Sequence, residues 1–282
     1  MPQTINTNIA SLNAQRNLNS SQTALSTAMQ RLSSGMRVNS AKDDAAGLAI
    51  AERMNAQVRG MNVAIRNAND GISLAQTAEG ALSKVGDALQ RMRELAIQAR
   101  NATNSSSDKD SLNKEFGELQ SEISRVLGGT TFNGQHILGS DATTLTFQIG
   151  ANTSADDVIN ITTENLTTAT DIAAITATTA AIDATATIGD IATVIDNIDL
   201  AIDNVNNTRA TFGATQSRFD AIISNLQQSV ENQAAARSRI MDADFAQETA
   251  AMSRAQILQQ AGTAMVAQAN QLPQQVMRLL QG

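Results

Sequence analysis

The sequence predicts a mainly α fold in which long helices pair the N- and C-terminal segments antiparallel and coiled-coil-like, with a small β-hairpin or strand region in mid-sequence. Three observations predict it. Apolar residues recur at alternating steps of three and four along both ends of the chain. The same rhythm returns over two longer inner stretches. Between them, from Gly128 onward, it gives way to Thr-rich alternation and an Asn-Gly turn signal.

The C-terminal element is the clearest. From Met241 the steps reach Phe245, Glu248, Met252, Ala255, Leu258, Gly262, Met265, Ala269, Leu272, Val276 and Leu279, and ten of these twelve residues are apolar. That is the seam of a helix that lies against another helix. The N-terminal element repeats it with Ile5, Ile9, Leu12, Gln15, Leu18, Gln22, Leu25, Met29, Leu32 and Met36, and is the obvious partner. Both stripes are narrow and sit in a background of Asn, Gln, Ser and Thr. Neither buries enough apolar surface to offset the entropy of ordering its own residues, so both ends are expected to stay disordered until other copies of the chain cover them.

Between the ends, Ser33 to Ser40 is a turn-rich break around Gly35, and Asp43 and Asp44 stand where a helix N-terminus favours negative charge. A long helix follows with Met54, Val58, Met61, Ile65, Ala68, Ile72, Ala75, Glu79 and Leu82 in register. After a one-step slip it continues through Val85, Leu89, Met92, Ala96 and Ala99, weakened locally by Gly60, Gly71, Gly80 and Gly86. After a polar loop at Asn101 to Asp108, a shorter helix carries Leu112, Phe116, Leu119, Ile123 and Val126 on one face. Asn133-Gly134 marks a hairpin, and Thr144 to Gly150 alternates like a half-buried strand. Thr162 to Ile188, almost entirely Thr, Ala, Ile and Asp, is expected to be strand or loop with little core. Heptads then resume at Ile191 and run through Ile198, Val205, Phe212 and Phe219 to Val230, and ring geometry is expected to break nothing before Pro273.

Composition narrows the function. The chain has no Cys, Trp or Tyr, which excludes a disulfide framework and a thiolate metal site and leaves the packing to aliphatic side chains. Net charge is −7, and no Lys or Arg occurs between Arg125 and Arg209. That acidic middle is expected to repel nucleic acid and anionic membranes. No secretory signal peptide and no membrane-spanning run is visible. His136 is the only His, and beside an Asn-Gly turn it reads as a hairpin residue rather than a general base. Gly129 to Gly134 has the glycine spacing of a phosphate loop, but Gln135-His136 stands where Lys-Ser/Thr is needed. Asn69-Asp70-Gly71 lacks the acidic ligands of a calcium loop. No catalytic, cofactor-binding or metal-binding residue is expected, and the chain is read as a structural protein, not an enzyme.

Two stretches resemble bacterial flagellin. Leu32-Ser33-Ser34-Gly35-Met36-Arg37-Val38-Asn39-Ser40, continuing to Ile50, is similar to the family's N-terminal signature, and Met252-Ser253-Arg254-Ala255-Gln256-Ile257-Leu258-Gln259-Gln260-Ala261-Gly262, continuing to Asn270, to its C-terminal one. The resemblance extends to all but roughly Thr162 to Ile188. It implies a subunit that polymerises with itself into the extracellular filament, after export by the flagellar type III route. The implied inner helix pair is 1–43 with 239–282, disordered in the monomer. The implied outer helical bundle with its hairpin is 44–161 with 189–238, and 162–188 is a short variable segment too small for the family's large outer domains. The assembly seam would comprise Ile5, Ile9, Leu12, Leu25, Met29, Leu32, Phe245, Met252, Leu258, Met265, Leu272, Val276 and Leu279. The resemblance also implies as partners the hook-filament junction and cap proteins, an export chaperone on the C-terminal tail, and a host Toll-like receptor. Matching positions for that receptor are Gln90, Arg91, Leu95 and Glu115, and Leu279-Leu280 resembles the tail read by cytosolic sensors. A junction protein of the same superfamily is the nearer alternative, and a membrane-inserting type III translocator the more distant one.

Overall fold

The computed structural model describes the backbone of residues 7–281 and the side chains of residues 7–271. Its elements in chain order are α1 (Ile9–Ser34), α2 (Ala45–Ala99), α3 (Ser106–Gly129), β1 (Thr131–Phe132), β2 (Gln135–His136), β3 (Thr144–Gln148), β4 (Val158–Thr162), α4 (Thr170–Thr176), α5 (Ile188–Met241) and α6 (Phe245–Gln281). Two compact units divide the chain, one holding residues 1–56 and 231–282, the other 57–230.

In the first unit α1 lies antiparallel to α6. The Asn8 side chain caps α1 by accepting from the Ser11 amide at 3.0 Å, and Gly35 ends the helix at φ 69°, a left-handed turn that a glycine enters without steric cost. The chain then pairs with the α5–α6 junction. The Ala243 amide donates to the Gly35 carbonyl (2.9 Å), the Arg37 amide to the Met241 carbonyl (2.7 Å), and Arg37 Nη2 to the Ile240 carbonyl (2.8 Å). Val38, Ala51 and Met241 close a small core beneath this clasp. The two neighbouring aspartates divide their work. Asp44 accepts from the Gly47 amide at 2.8 Å at the start of α2, while Asp43 accepts from the amides of Asn39 and Ser40 in the turn before it.

The expected interruption at Pro273 does not occur, since α6 continues through it to Gln281. A proline in a helix leaves the carbonyl four residues earlier without its donor. Here that carbonyl belongs to Ala269, and it accepts from Asn8 Nδ2 of α1 at 2.7 Å.

The second unit is built on α2, α3 and α5, whose heptad residues form one continuous core with Leu82, Leu89, Met92, Phe116, Ile123, Phe212 and Phe219 at its centre, all at most 2 % exposed. Strands β3 and β4 pair antiparallel with Leu145 opposite Ile161 and Phe147 opposite Ile159, which turns these four residues toward the core and Thr146 and Asn160 outward. The Phe147 ring meets Phe219 edge-on with centroids 5.7 Å apart. Gly71 of α2 lies directly against Phe219, so that a Cβ there would sit 2.7 Å from the ring. Strands β1 and β2 form the predicted hairpin, with Asn133 (φ 49°) and Gly134 (φ 82°) in the left-handed region that its tight turn requires. The His136 ring makes a 2.6 Å hydrogen bond to the Gly128 carbonyl, which ties β2 back to the end of α3.

Residues 162–188 differ from the expectation. They include α4, and Leu166, Ile172, Ile175 and Ile182 are essentially fully buried. Helix α3 holds this segment through backbone-directed hydrogen bonds. Gln120 Nε2 donates to the carbonyls of Ile175 (2.7 Å) and Ala180 (2.8 Å), the Asn113 side chain accepts from the Ile182 amide (2.9 Å), and Asp110 accepts from the Ala184 amide (3.0 Å). Polar side chains reaching into a loop satisfy its backbone without a partner strand, and they leave no hydrophobic pattern to read.

Candidate functional site

The paired ends hold most of the residues singled out for assembly. The faces that α1 and α6 turn toward each other mix small side chains with leucines and a methionine. On α1 the withdrawn positions include Ser11, Ala14, Leu18, Leu25, Ala28 and Leu32, and on α6 Met252, Ala255, Gly262 and Ala269. Gly262 allows the closest approach, since a Cβ there would meet Leu18 Cδ1 at 3.2 Å. Polar bonds fix the alignment. Ser11 Oγ donates to the Asn270 side chain at 2.7 Å near one end of the pair, and Arg31 Nη1 binds Glu248 Oε1 at 3.0 Å near the other. The Glu248 side chain is only 13 % exposed, so this charged pair sits largely between the helices. Matching two such groups sets an axial register that small apolar residues by themselves would leave slippery.

The larger apolar residues of the sequence-predicted stripes point elsewhere. Ile9 is 67 % exposed, Leu12 51 %, Met29 47 %, Phe245 57 %, Leu258 51 % and Met265 59 %. Leu25, Leu32 and Met252 are half-buried between the helices. Ile5, Leu272, Val276, Leu279 and Leu280 lie outside the described side chains. The single stripe expected on each helix is therefore two adjacent ones. The inner stripe joins α1 to α6, and the outer one is exposed. Leu258 and Met265 border a groove of about 410 Å³ with Ala10, Ala14 and Gly262. The inner stripe was visible in principle, because Ser11, Ala14, Leu18, Ser21, Leu25, Ala28 and Leu32 keep unbroken heptad spacing. Hydrophobicity alone finds Leu18, Leu25 and Leu32 but selects Leu12 and Met29, one position from Ser11 and Ala28.

The other predicted group lies on α2 and α3. Arg91 Nε donates to Glu115 Oε1 at 2.8 Å and Nη1 to Glu94 Oε2 at 2.9 Å. These contacts, Glu115 first, hold the guanidinium charged above its ordinary range. Gln90 is exposed beside it. Leu95 is 1 % exposed and belongs to the core, so it supports this surface from beneath and does not present a side chain on it.

Among the described residues no group of three or more His, Asp or Glu is placed to hold a metal ion, and no helix is long and apolar enough to cross a membrane. The geometry defines a class: a helical structural protein whose two chain ends fold together and still present a large apolar face to solvent. Residues 5–144 match the bacterial flagellin N-terminal helical region and residues 195–280 the bacterial flagellin C-terminal helical region. The chain belongs to the bacterial flagellin family. It is 46 % identical to a flagellin of Halalkalibacterium halodurans over 98 % of this chain and 99 % of that one. It is also 46 % identical to a flagellin of Xenorhabdus nematophila over 99 % and 100 % of the respective chains. A Salmonella typhimurium flagellin is 59 % identical over 54 % of this chain but only 30 % of its own length. Among solved structures, Bacillus cereus flagellin is similar with a TM-score of 0.50 at 33 % identity, covering 61 % of this chain and 94 % of that one. A putative flagellar hook-associated protein from Vibrio parahaemolyticus shares the fold with a TM-score of 0.57 at 11 % identity, over 71 % and 100 % of the two chains. As a member of the flagellin family, the chain is a structural subunit of the bacterial flagellar filament.

Proposed function

We propose that the outer stripe of the α1–α6 pair is the surface through which copies of this chain join, and that the protein acts by polymerising, without catalysis, into an extracellular filament. The observation that carries this is the outward placement of Ile9, Leu12, Met29, Phe245, Leu258 and Met265 on helices whose mutual contact is made by other residues. Apolar residues left outside a completed helix pair gain stability only when another surface removes them from water. In a homopolymer of helical symmetry that surface belongs to the next copy. A chain lacking residues 1–40 and 239–282 should retain the core of the second unit and fail to elongate filament seeds. Elongation at the rate of the intact chain would refute the proposal.

The remaining partners follow from the family. Junction and cap proteins would meet the same terminal helices at the two ends of a filament, and an export chaperone would hold the C-terminal tail before secretion by the type III route. The exposed cluster of Gln90, Arg91 and Glu115 is proposed as the surface read by a flagellin-sensing Toll-like receptor, with Leu95 shaping it from below. Leu279 and Leu280 are proposed as the tail read by cytosolic sensors. Arg91→Ala removes the cation that joins α2 to α3 at this surface, and it should sharply reduce receptor signalling by monomer in reporter cells. An unchanged response would remove the receptor assignment and leave the assembly reading standing.

A further inference from the structure

Most of the described methionines are withdrawn from water. Met61, Met92 and Met241 are buried, and Met36, Met54 and Met252 are half-buried. Met29 and Met265 are the exceptions, 47 % and 59 % exposed, and both lie on the outer stripe of the α1–α6 pair. Met265 also borders the groove that includes Ala14, Leu258 and Gly262. We propose that Met29 and Met265 form a redox-sensitive modification site: a peroxide oxidises their thioethers in the unassembled chain and so prevents that copy from joining a filament, whereas incorporation shields both sulfurs. The inference rests on the reading that neighbouring copies cover the outer stripe.

The chemistry needs hydrogen peroxide as its only co-reactant. A thioether lone pair attacks one peroxide oxygen, the S–O bond forms as the O–O bond breaks, and the departing oxygen leaves as water after taking the proton from the transferred hydroxyl. Sulfur is oxidised by two electrons and the peroxide is reduced to water. The reaction requires access to sulfur, which the exposed pair offers and the buried methionines do not. Its product is a polar sulfoxide on a flexible side chain that had been apolar. When a second copy closes over the stripe, that oxygen loses water, and unless it reaches Asn13, Asn17 or Ser21 in the groove beside Met265 it is left unpaired among Ala10, Ala14 and Leu258. A methionine sulfoxide reductase can reverse the modification, so the site is a switch rather than a lesion.

The test compares monomer and filament of the full chain. Monomer treated with hydrogen peroxide and then freed of it should elongate sheared filament seeds at least about tenfold more slowly than untreated monomer, the consequence of one unpaired polar group at each contact. The double variant Met29→Leu/Met265→Leu, a nearly volume-conserving change, should elongate at the same rate with and without peroxide. Peptide mapping by mass spectrometry should find both sulfurs of the parent chain at least tenfold less oxidised when intact filaments are treated than when monomer is. The proposal is overturned if the double variant loses as much activity on peroxide treatment as the parent, or if Met29 and Met265 oxidise equally fast in filament and monomer. Should the Leu substitutions themselves impair elongation, the protection measured on the parent chain decides. Untreated parent chain that never elongates seeds would instead defeat the assembly reading.

Discussion

Two glycines in the same helix should respond in opposite directions to the same substitution. Gly71 and Gly80 both lie inside α2, where replacing glycine by alanine gains about 0.8–1 kcal/mol from backbone entropy. Around Gly80 nothing beyond its chain neighbours and the helix's own backbone lies within 4 Å of the added Cβ, so the gain should appear nearly whole. At Gly71 the new methyl would stand 2.7 and 2.8 Å from two carbons of the Phe219 ring. That ring cannot yield easily, because it is fully buried and edge-packed against Phe147. Overpacking costs about 1–3 kcal/mol, and against a ring this fixed the upper part of that range, about 2–3 kcal/mol, applies, which less the helix gain leaves Gly71→Ala destabilised by about 1–2 kcal/mol. For a unit of this size each kcal/mol shifts the melting midpoint by about 2–4 °C. Thermal unfolding followed by circular dichroism should therefore show Gly80→Ala about 2–4 °C higher and Gly71→Ala about 2–8 °C lower than the parent chain. Adding Phe219→Leu to Gly71→Ala should recover part of that specific loss. A midpoint that rises for Gly71→Ala as it does for Gly80→Ala would refute the close packing of α2 on α5 at this point.

Two further outcomes are expected. Gln120→Ala removes the donor that holds the carbonyls of Ile175 and Ala180, and should lower stability by about 1–3 kcal/mol, with faster amide exchange concentrated in residues 170–186 and little change in α2. At the start of α3 the Asp108 carboxyl is held below its usual range by the Ser105 hydroxyl and amide, so its contribution is fully present above the unfolded value of about 3.9 and is lost as pH falls through the lower folded value. Amide exchange over the first turn of α3 should accordingly rise on acidification below about pH 4, and Asp108→Asn should flatten that dependence.

How legible the fold was depended on which force set each element. Helices α2 and α5 are fixed by burial along one seam, and Leu82, Leu89, Phe212 and Phe219 could be placed on it from spacing alone. The β1–β2 hairpin was equally readable, because Asn133-Gly134 is one of few pairs that enter the left-handed region together. The segment from Thr162 to Ile188 was not. Its isoleucines are separated by Ala and Thr without a period, and its position is set by Asp110, Asn113 and Gln120 on a distant helix. At the paired ends the helices were legible and their orientation was not, since stripes one residue apart differ by only about 100° around the axis.

The hydrogen bond from Asn8 to the carbonyl that Pro273 leaves unserved joins residues 261 positions apart. Closing a flexible loop of that length costs about 5 kcal/mol in chain entropy, several times the roughly 1 kcal/mol that one hydrogen bond returns. The contact cannot lead folding and must follow it, forming only after the intervening helices have brought the two ends side by side. A ribosome makes Asn8 long before Ala269, so a chain that stops before Ala269 lacks the acceptor. The bond thus marks an order in time: a copy in which Asn8 has reached Ala269 has already arranged what lies between them.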